Sequence, residues 1–140
     1  MANELRVVID TNVCISAVLL PRSVPRQAFD LAVQSGRLLV SAATVAELDE
    51  VLRRPKFDRY LLEEERLEFL AALVAEADWM EISTAITACR DPKDNKFLEL
   101  AVSGLATHII TGDEDLLVMN PFEGIAVVRP QKFIQTFPGD

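Results

Sequence analysis

Four acidic side chains stand at the ends of predicted strands or on the helices that follow them. Asp10 comes directly after the run LRVVI, and Glu47 lies on the helix predicted after the second strand. Asp94 lies in the first turn of a helix that begins with DPKDN, and Asp113 follows the strand HIIT. Because ligands bind outside the carboxyl ends of parallel strands, we expect the four acids to gather at one edge of a sheet.

Carboxylates that share a site repel one another and raise each other's pKa unless a cation binds between them. Mg²⁺ and Mn²⁺ prefer oxygen ligands and resolve that repulsion. One or two such ions can lower the pKa of a water molecule and stabilise charge on a phosphoryl oxygen during in-line displacement. The four acids therefore predict a metal-dependent site that activates water and needs no covalent nucleophile.

Helix capping is an alternative interpretation of several acids. Asp91 is placed to cap a helix that has Pro92 at its first position, and Asp94 would then favour the helix dipole. Capping boxes are a further alternative, in the pairs Thr44–Glu47 and Thr111–Glu114. Asp10 is harder to explain in this way, because an acid directly after a buried strand caps nothing unless it begins the next helix.

The sequence lacks the residues that several other kinds of catalytic or metal site require. His108 is the single histidine, which excludes a histidine pair and a zinc site, so we expect it to be surface or strand-edge structure. The sequence contains no G-x-S-x-G elbow, no P-loop and no G-x-G-x-x-G. Asn12 stands where an aspartyl-phosphate enzyme would carry a second Asp after Asp10. Cys14 and Cys89 have neither zinc spacing nor the pattern of a disulfide framework, so both are expected as buried apolar residues.

Length and composition predict one globular domain, residues 1–140, with a core from about 5 to 137. The chain has 140 residues, 50% of them hydrophobic, and neither a signal peptide nor a membrane-spanning run is expected. Reduced thiols and these expectations favour the cytoplasm. The net charge of −8 argues against a nucleic-acid binder with a basic face, although bound cations would offset part of it.

Strand and helix patterns alternate along the chain. Strands are predicted at 5–9, 37–40, 80–82, 108–111 and 125–128, with the third one weak. Helices are predicted at 11–20, 25–34, 41–52, 60–77, 91–103, 113–118 and 130–137. This order predicts an α/β fold, a three-layer α/β/α sandwich with a central parallel sheet.

Four segments in this order resemble the PIN domain from about Leu5 to Phe137. They are VVIDTNVCISAVL, VSAATVAELDEVLRR, CRDPKDNKFLELAV and HIITGDEDLL. The chain is most similar to the PIN toxins of bacterial toxin–antitoxin pairs, related to VapC-type ribonucleases. The resemblance implies a Mg²⁺- or Mn²⁺-dependent endoribonuclease with a PIN-like sandwich, often a homodimer and often paired with an antitoxin protein.

The motif positions imply a role for each matching residue. The catalytic acids and metal ligands would be Asp10, Glu47, Asp94 and Asp113. Polar residues that support the site would be Thr11, Asn12 and Thr111. Asp91 and Asp115 are extra acids that could share the metal or replace a neighbour as ligand. Toxins of this type commonly carry an aromatic residue after the last acid, where this chain has Leu116, and this leaves the role of Asp115 open.

Basic residues near the acids are candidates for phosphate contact. They are Arg22, Arg26, Arg53, Arg54, Lys56, Lys93 and Lys96. Of these, Arg54 and Lys93 are the ones we predict to bind substrate. Exposed single-stranded RNA is the expected substrate, because a duplex presents little readable edge.

Two other functions remain open from the sequence. The domain could be a weakly catalytic or non-catalytic scaffold that binds nucleic acid or protein, or a DNA nuclease of the same fold. The apolar stretches 18–20 and 29–33 could form a dimer or antitoxin surface, although core packing is the favoured interpretation.

Overall fold

Five strands form a parallel sheet in the computed structural model, which describes residues 4–137. They are β1 (Leu5–Ile9), β2 (Gly36–Val40), β3 (Asp78–Trp79), β4 (His108–Ile110) and β5 (Ala126–Val128). Their order across the sheet is β3-β2-β1-β4-β5, and every pairing is parallel. Residues 1–3 and 138–140, the ends of the predicted 1–140 domain, lie outside the described residues.

Six α-helices connect the strands within residues 4–137, and a seventh follows β5. They are α1 (Thr11–Leu19), α2 (Val24–Ser35), α3 (Ala42–Leu52), α4 (Glu63–Glu76), α5 (Asn95–Ser103), α6 (Glu114–Leu117) and α7 (Pro130–Thr136). Two 3₁₀ turns, Pro55–Phe57 and Pro92–Asp94, precede α4 and α5. None of the helices in this part of the chain is both long enough and apolar enough to cross a membrane.

Alternate residues of β1 point into two separate hydrophobic cores. Val7 and Ile9 pack in a core formed with α1, α2, α3, α4 and α7. Val8 packs on the opposite face with Ile109 and Val127 against α5 and α6. Since successive side chains of a strand point to opposite faces, helices cover the sheet on both sides. The predicted three-layer α/β/α sandwich is confirmed.

Gly36 is required where the chain leaves α2 and enters β2. It pairs with Leu5 of β1, and a Cβ atom built at this position would lie 2.3 Å from the Leu5 carbonyl oxygen. Any side chain would therefore force the two central strands apart. Gly36 thus permits the close contact between β1 and β2.

A buried arginine organises the connection between α3 and α4. The Arg66 guanidinium is inaccessible to solvent and donates to the carbonyl oxygens of Leu52, at 2.7 Å, and Leu61. It also contacts the Arg54 carbonyl oxygen at 3.5 Å and pairs with Asp58 at 3.0 Å. This side chain therefore fixes the carboxyl end of α3 and the residues just after it, including Arg54.

The weak strand predicted at 80–82 lies two residues too late. In the structure β2 pairs Leu39 with Asp78 and Val40 with Trp79. The amide of Met80 donates the last hydrogen bond, to the Val40 carbonyl oxygen at 2.8 Å. Because β2 ends at Val40, the residues after Met80 have no strand beside them, and their apolar character does not make them β-structure.

Two helices begin later than predicted. The helix expected at 60–77 begins at Glu63, where three consecutive glutamates lie in the first turn and favour the helix dipole. The helix expected at 91–103 begins as the 3₁₀ turn Pro92–Asp94, and α5 itself starts at Asn95. Asp91 caps that turn as expected, since its Oδ1 accepts from the Lys93 amide at 3.0 Å.

His108 and the first two helices contribute to the core. His108 opens β4, and its half-buried ring packs edge-on against Phe133 and Phe137, with ring centroids 5.4 and 5.1 Å away. Val18 and Phe29, within the two apolar stretches, are buried in the core beside the sheet. Packing therefore uses much of the surface that could have served a partner.

Candidate active site

A cavity of about 530 Å³ opens at the carboxyl edge of the sheet. Strands β1 and β4 end side by side there, because the Asp10 amide donates to the Ile110 carbonyl oxygen at 3.1 Å. All four candidate catalytic acids and one extra acid line this cavity: Asp10, Glu47, Asp91, Asp94 and Asp113. Thr11 and Asn12 line it as well. The structure thus brings together side chains that are up to about a hundred positions apart in the sequence.

Asp10 is buried at the cavity wall and is held by two donors. Its Oδ1 accepts from the Val13 amide at 2.9 Å, which caps α1, and its Oδ2 accepts from the Thr111 hydroxyl. Burial raises the pKa of Asp10, these two hydrogen bonds oppose the rise, and the charges of Asp113 and Glu47 add to it. One carboxylate therefore caps a helix and faces the other acids at the same time.

Glu47 has a donor on each of its oxygens. Oε2 accepts from the Thr11 hydroxyl, and Oε1 accepts from the Lys96 ammonium at 2.5 Å. Burial raises the pKa of Glu47, but the hydrogen bonds from Lys96 and Thr11 and the charges of Lys96 and Lys93 outweigh it and lower the pKa overall. The capping box of α3 is formed by Ser41 and Thr44, so the alternative that Glu47 closes it is wrong.

Three aspartates form a tight cluster, and two of them, Asp94 and Asp113, line the cavity. Asp94, Asp113 and Asp115 each offer a carboxylate oxygen, and these oxygens lie within 4.8 Å of one another. Burial, followed by the charge of Asp113, raises the pKa of Asp94 to about 7. Its Oδ2 is buried and has no hydrogen-bond partner among residues 4–137.

The neighbours of this cluster are held by local contacts. Asp113 caps α6 by accepting from the Asp115 amide at 2.9 Å, and the Asp113 amide donates to the Thr111 hydroxyl at 3.0 Å. Thr111 therefore touches two of the acids. Asp115 pairs with the exposed Arg90 at 3.1 Å. Because Asp113 itself caps α6, the proposed Thr111–Glu114 capping box is wrong.

This arrangement fits a hard divalent cation. A buried oxygen without a hydrogen bond is costly, and crowded carboxylates resist ionisation unless positive charge is supplied. Asp94 shows both features: one of its oxygens is buried without a hydrogen bond, and neighbouring carboxylates raise its pKa. Mg²⁺ and Mn²⁺ take oxygen ligands of this kind and need only a few of them from the protein.

Basic side chains also line the cavity, and one of them, Lys96, is not among the two residues predicted to bind substrate. Arg54 and Lys93, the predicted substrate-binding residues, both line it, with Arg54 paired to Glu50 at 3.8 Å. Lys96 lines it and pairs with Glu47. The other candidates for phosphate contact are not among the lining residues: Arg22, Arg26, Arg53 and Lys56. Lys96 directly follows the acidic segment DPKDN, which was a signal for it, but its partner Glu47 lies far away in the sequence.

The chain belongs to the PIN-domain family. Residues 6–115 match the family model described as the PIN domain, which confirms the resemblance seen in the motifs. The uncharacterized protein MJ1680 of Methanocaldococcus jannaschii is 34% identical over 144 residues, covering 96% of this chain and 92% of that protein. Family membership therefore rests on the match of residues 6–115 to the PIN-domain model.

Solved structures with the same fold include two VapBC structures and FitAcB. VapBC from Salmonella typhimurium, bound to DNA, has a TM-score of 0.61 at 18% identity over 90% of this chain and 98% of that chain. VapBC2 from Rickettsia felis, bound to a promoter fragment, has a TM-score of 0.60 at 13% identity over 88% and 97%. FitAcB from Neisseria gonorrhoeae has a TM-score of 0.56 at 21% identity over 89% and 98%. At these identities the likeness concerns the fold.

Proposed function

We propose that this chain is a Mg²⁺- or Mn²⁺-dependent endoribonuclease. The observation that carries the proposal is the orphaned, buried Asp94 oxygen within a group of carboxylates at the carboxyl edge of the sheet. Such a group is stable in its ionised form only with a cation, and nucleases use bound cations for phosphodiester hydrolysis. Membership of a family whose members are typically nucleases supports the same reaction.

The residues divide the work of the site between them. Asp10, Asp94 and Asp113 would hold the ion, and Glu47 completes the catalytic set. When bound, Mg²⁺ or Mn²⁺ polarises a phosphoryl oxygen and lowers the pKa of a water molecule. Thr111 donates its hydroxyl to the Asp10 carboxylate and accepts from the backbone amide of Asp113, so it holds the Asp10 side chain and the Asp113 backbone in place. Asp94, whose pKa is about 7, gives up any proton it carries when the site is loaded.

The reaction is hydrolysis of an RNA phosphodiester. The water oxygen bonds to phosphorus on the side opposite the leaving ribose oxygen, whose bond to phosphorus breaks, and the products are a phosphate end and a hydroxyl end. Single-stranded RNA is the proposed substrate, because its unpaired bases leave the backbone accessible at an open cavity. Arg54 and Lys93 line the cavity, and we propose that they contact the backbone.

Cleavage of a labelled single-stranded RNA tests the proposal. We expect cleavage with Mn²⁺ or Mg²⁺, none with EDTA, and a loss of at least about a hundredfold in the Asp10→Asn variant. Asp30→Asn is the matched control, since the half-exposed Asp30 lies on α2, does not line the cavity, and pairs only with Arg26 in the described chain. If Asp10→Asn cuts as fast as wild type, a contaminant is responsible and the enzyme proposal fails. Single-stranded and duplex DNA of the same sequence, tested in parallel, distinguish a DNA nuclease.

We propose further that the chain is the toxin of a toxin–antitoxin pair and forms a homodimer. The fold shared with the VapBC and FitAcB structures supports an antitoxin partner. Induced expression should arrest growth, Asp10→Asn should relieve the arrest, and co-expression of the protein encoded next to this gene should relieve it as well. Growth arrest that the neighbouring protein does not relieve counts against the pairing. Light scattering on the purified chain measures its oligomeric state.

A further inference from the structure

Lys96 lies inside the acidic cavity in a fixed position. It is in the first turn of α5, its side chain is 22% exposed, and its Nζ lies 2.5 Å from Glu47 Oε1. Glu47 comes from α3, and its other oxygen accepts from the Thr11 hydroxyl at the start of α1. Residues of three helices therefore hold this ammonium group in the cavity.

Two groups of carboxylates in the cavity differ in how they are satisfied. Both Glu47 oxygens already have a donor. Asp94 Oδ2 is buried with no donor among residues 4–137, and Asp113 lies beside it. Neither Asp94 nor Asp113 forms an ion pair with a described residue, whereas Glu47 is already paired with Lys96, so a metal ion is needed at these two aspartates.

We propose that Lys96 binds the phosphate of the RNA backbone and that Glu47 positions Lys96 instead of ligating the ion. This inference rests on the proposed nuclease function. An ammonium group has three donors, and Glu47 uses one of them, which leaves donors for phosphoryl oxygens. The cavity would then work with one divalent ion at the aspartates and one ammonium at Glu47, and the two together attract an anionic backbone into an acidic site.

Lysine is suited to this position because it is a compact charge that binds phosphate without a fixed planar geometry. The pairing with Glu47 restrains a side chain that would otherwise lose much rotamer freedom on binding. Lys93 lines the same cavity but is free of ion pairs within residues 4–137. Lys96 is therefore the better-oriented of the two lysines.

Mn²⁺ binding separates this inference from the alternative that Glu47 is a metal ligand. Mn²⁺ is titrated into wild type, Glu47→Gln, Lys96→Met and Asp94→Asn, with calorimetry or the spin signal of free Mn²⁺ as readout. We expect one ion in wild type, an affinity within about threefold of wild type in Glu47→Gln and Lys96→Met, and a loss of at least about tenfold in Asp94→Asn. A loss in Glu47→Gln as large as in Asp94→Asn, or two ions in wild type, overturns the inference.

RNA cleavage tests the phosphate contact in the same variants. Lys96→Met should lower kcat/KM by at least about tenfold, the amount expected for a lost hydrogen bond to a charged group. Lys96→Arg should recover part of the loss, and Lys132→Met, which removes the same charge from α7, should not change the rate. Unchanged cleavage by Lys96→Met overturns the inference while the nuclease proposal stands. Wild type that neither binds Mn²⁺ nor cleaves RNA shows instead that the proposed function is wrong.

Discussion

Replacing Asp94 with Asn should stabilise the metal-free protein while it weakens metal binding. The Asp94 carboxyl is crowded by other acids, and its pKa lies at about 7 against an ordinary value of 3.8. Folding therefore favours the protonated carboxyl, so its ionisation costs stability. That cost is absent below pH 3.8, grows as the pH rises, and is complete above about pH 7. Asn keeps the shape of the carboxyl and removes the charge.

The size of the effect follows from the change in pKa. A rise from 3.8 to about 7 corresponds to about 4 kcal/mol if nothing screens the charges. Because the cavity is open and water enters it, we expect about 1–2 kcal/mol. For a chain of this length the melting temperature of Asp94→Asn should then exceed that of wild type by about 3–6 °C at pH 7.5 in EDTA.

Thermal melting followed by circular dichroism measures this difference. At about pH 5.5 the gap between Asp94→Asn and wild type should shrink, because wild-type Asp94 is then mostly protonated in the folded state. Mn²⁺ should raise the melting temperature of wild type by more than that of Asp94→Asn at the same concentration. A variant that melts at or below the wild-type temperature in EDTA at pH 7.5 would refute the reasoning, as would equal stabilisation of both proteins by Mn²⁺.

Three further perturbations test other contacts. Burial lowers the pKa of His108, so the contribution of the neutral ring to stability should be fully present above about pH 6.5 and be lost as the pH falls below it. Urea titrations at several pH values should show that the free energy of unfolding depends less on pH in His108→Gln than in wild type. Thr111→Val removes the hydroxyl that contacts Asp10 and should weaken Mn²⁺ binding about tenfold by calorimetry, whereas Thr111→Ser should not. Arg66→Met should destabilise the fold by about 3–5 kcal/mol in urea unfolding, because Asp58 and buried carbonyls lose their donor; a loss under about 1 kcal/mol would contradict this.

The sequence was sufficient to predict the parallel sheet and the acidic residues that follow its strands at the carboxyl edge. An apolar run such as the one before Asp10 has the composition of a buried parallel strand, and the residue after such a strand falls at the carboxyl edge. The same rule placed Asp113. The error at β3 arose because a two-residue strand has no periodicity, and its position depends on where β2 ends.

The contacts within the site could not be predicted in this way. The pairing of Glu47 with Lys96 joins two helices that are separated by β3 and a long connection, and it depends on how α3 and α5 pack. The orphaned oxygen of Asp94 likewise results from burial by neighbours, which a single sequence does not reveal. Capping, weighed as an alternative to function, proved compatible with it, since Asp10 caps α1 and also lines the cavity.

The distribution of the acids along the chain also affects when the site can form during synthesis. Asp10 emerges from the ribosome about a hundred residues before its hydroxyl partner Thr111 and the nearby carboxylate of Asp113. Every growing chain that has not reached these residues lacks part of the cavity wall. A nascent chain that has not yet exposed Asp113 is thus unable to assemble the proposed active site, and proteolytic fragments that end before Asp113 are expected to be inert.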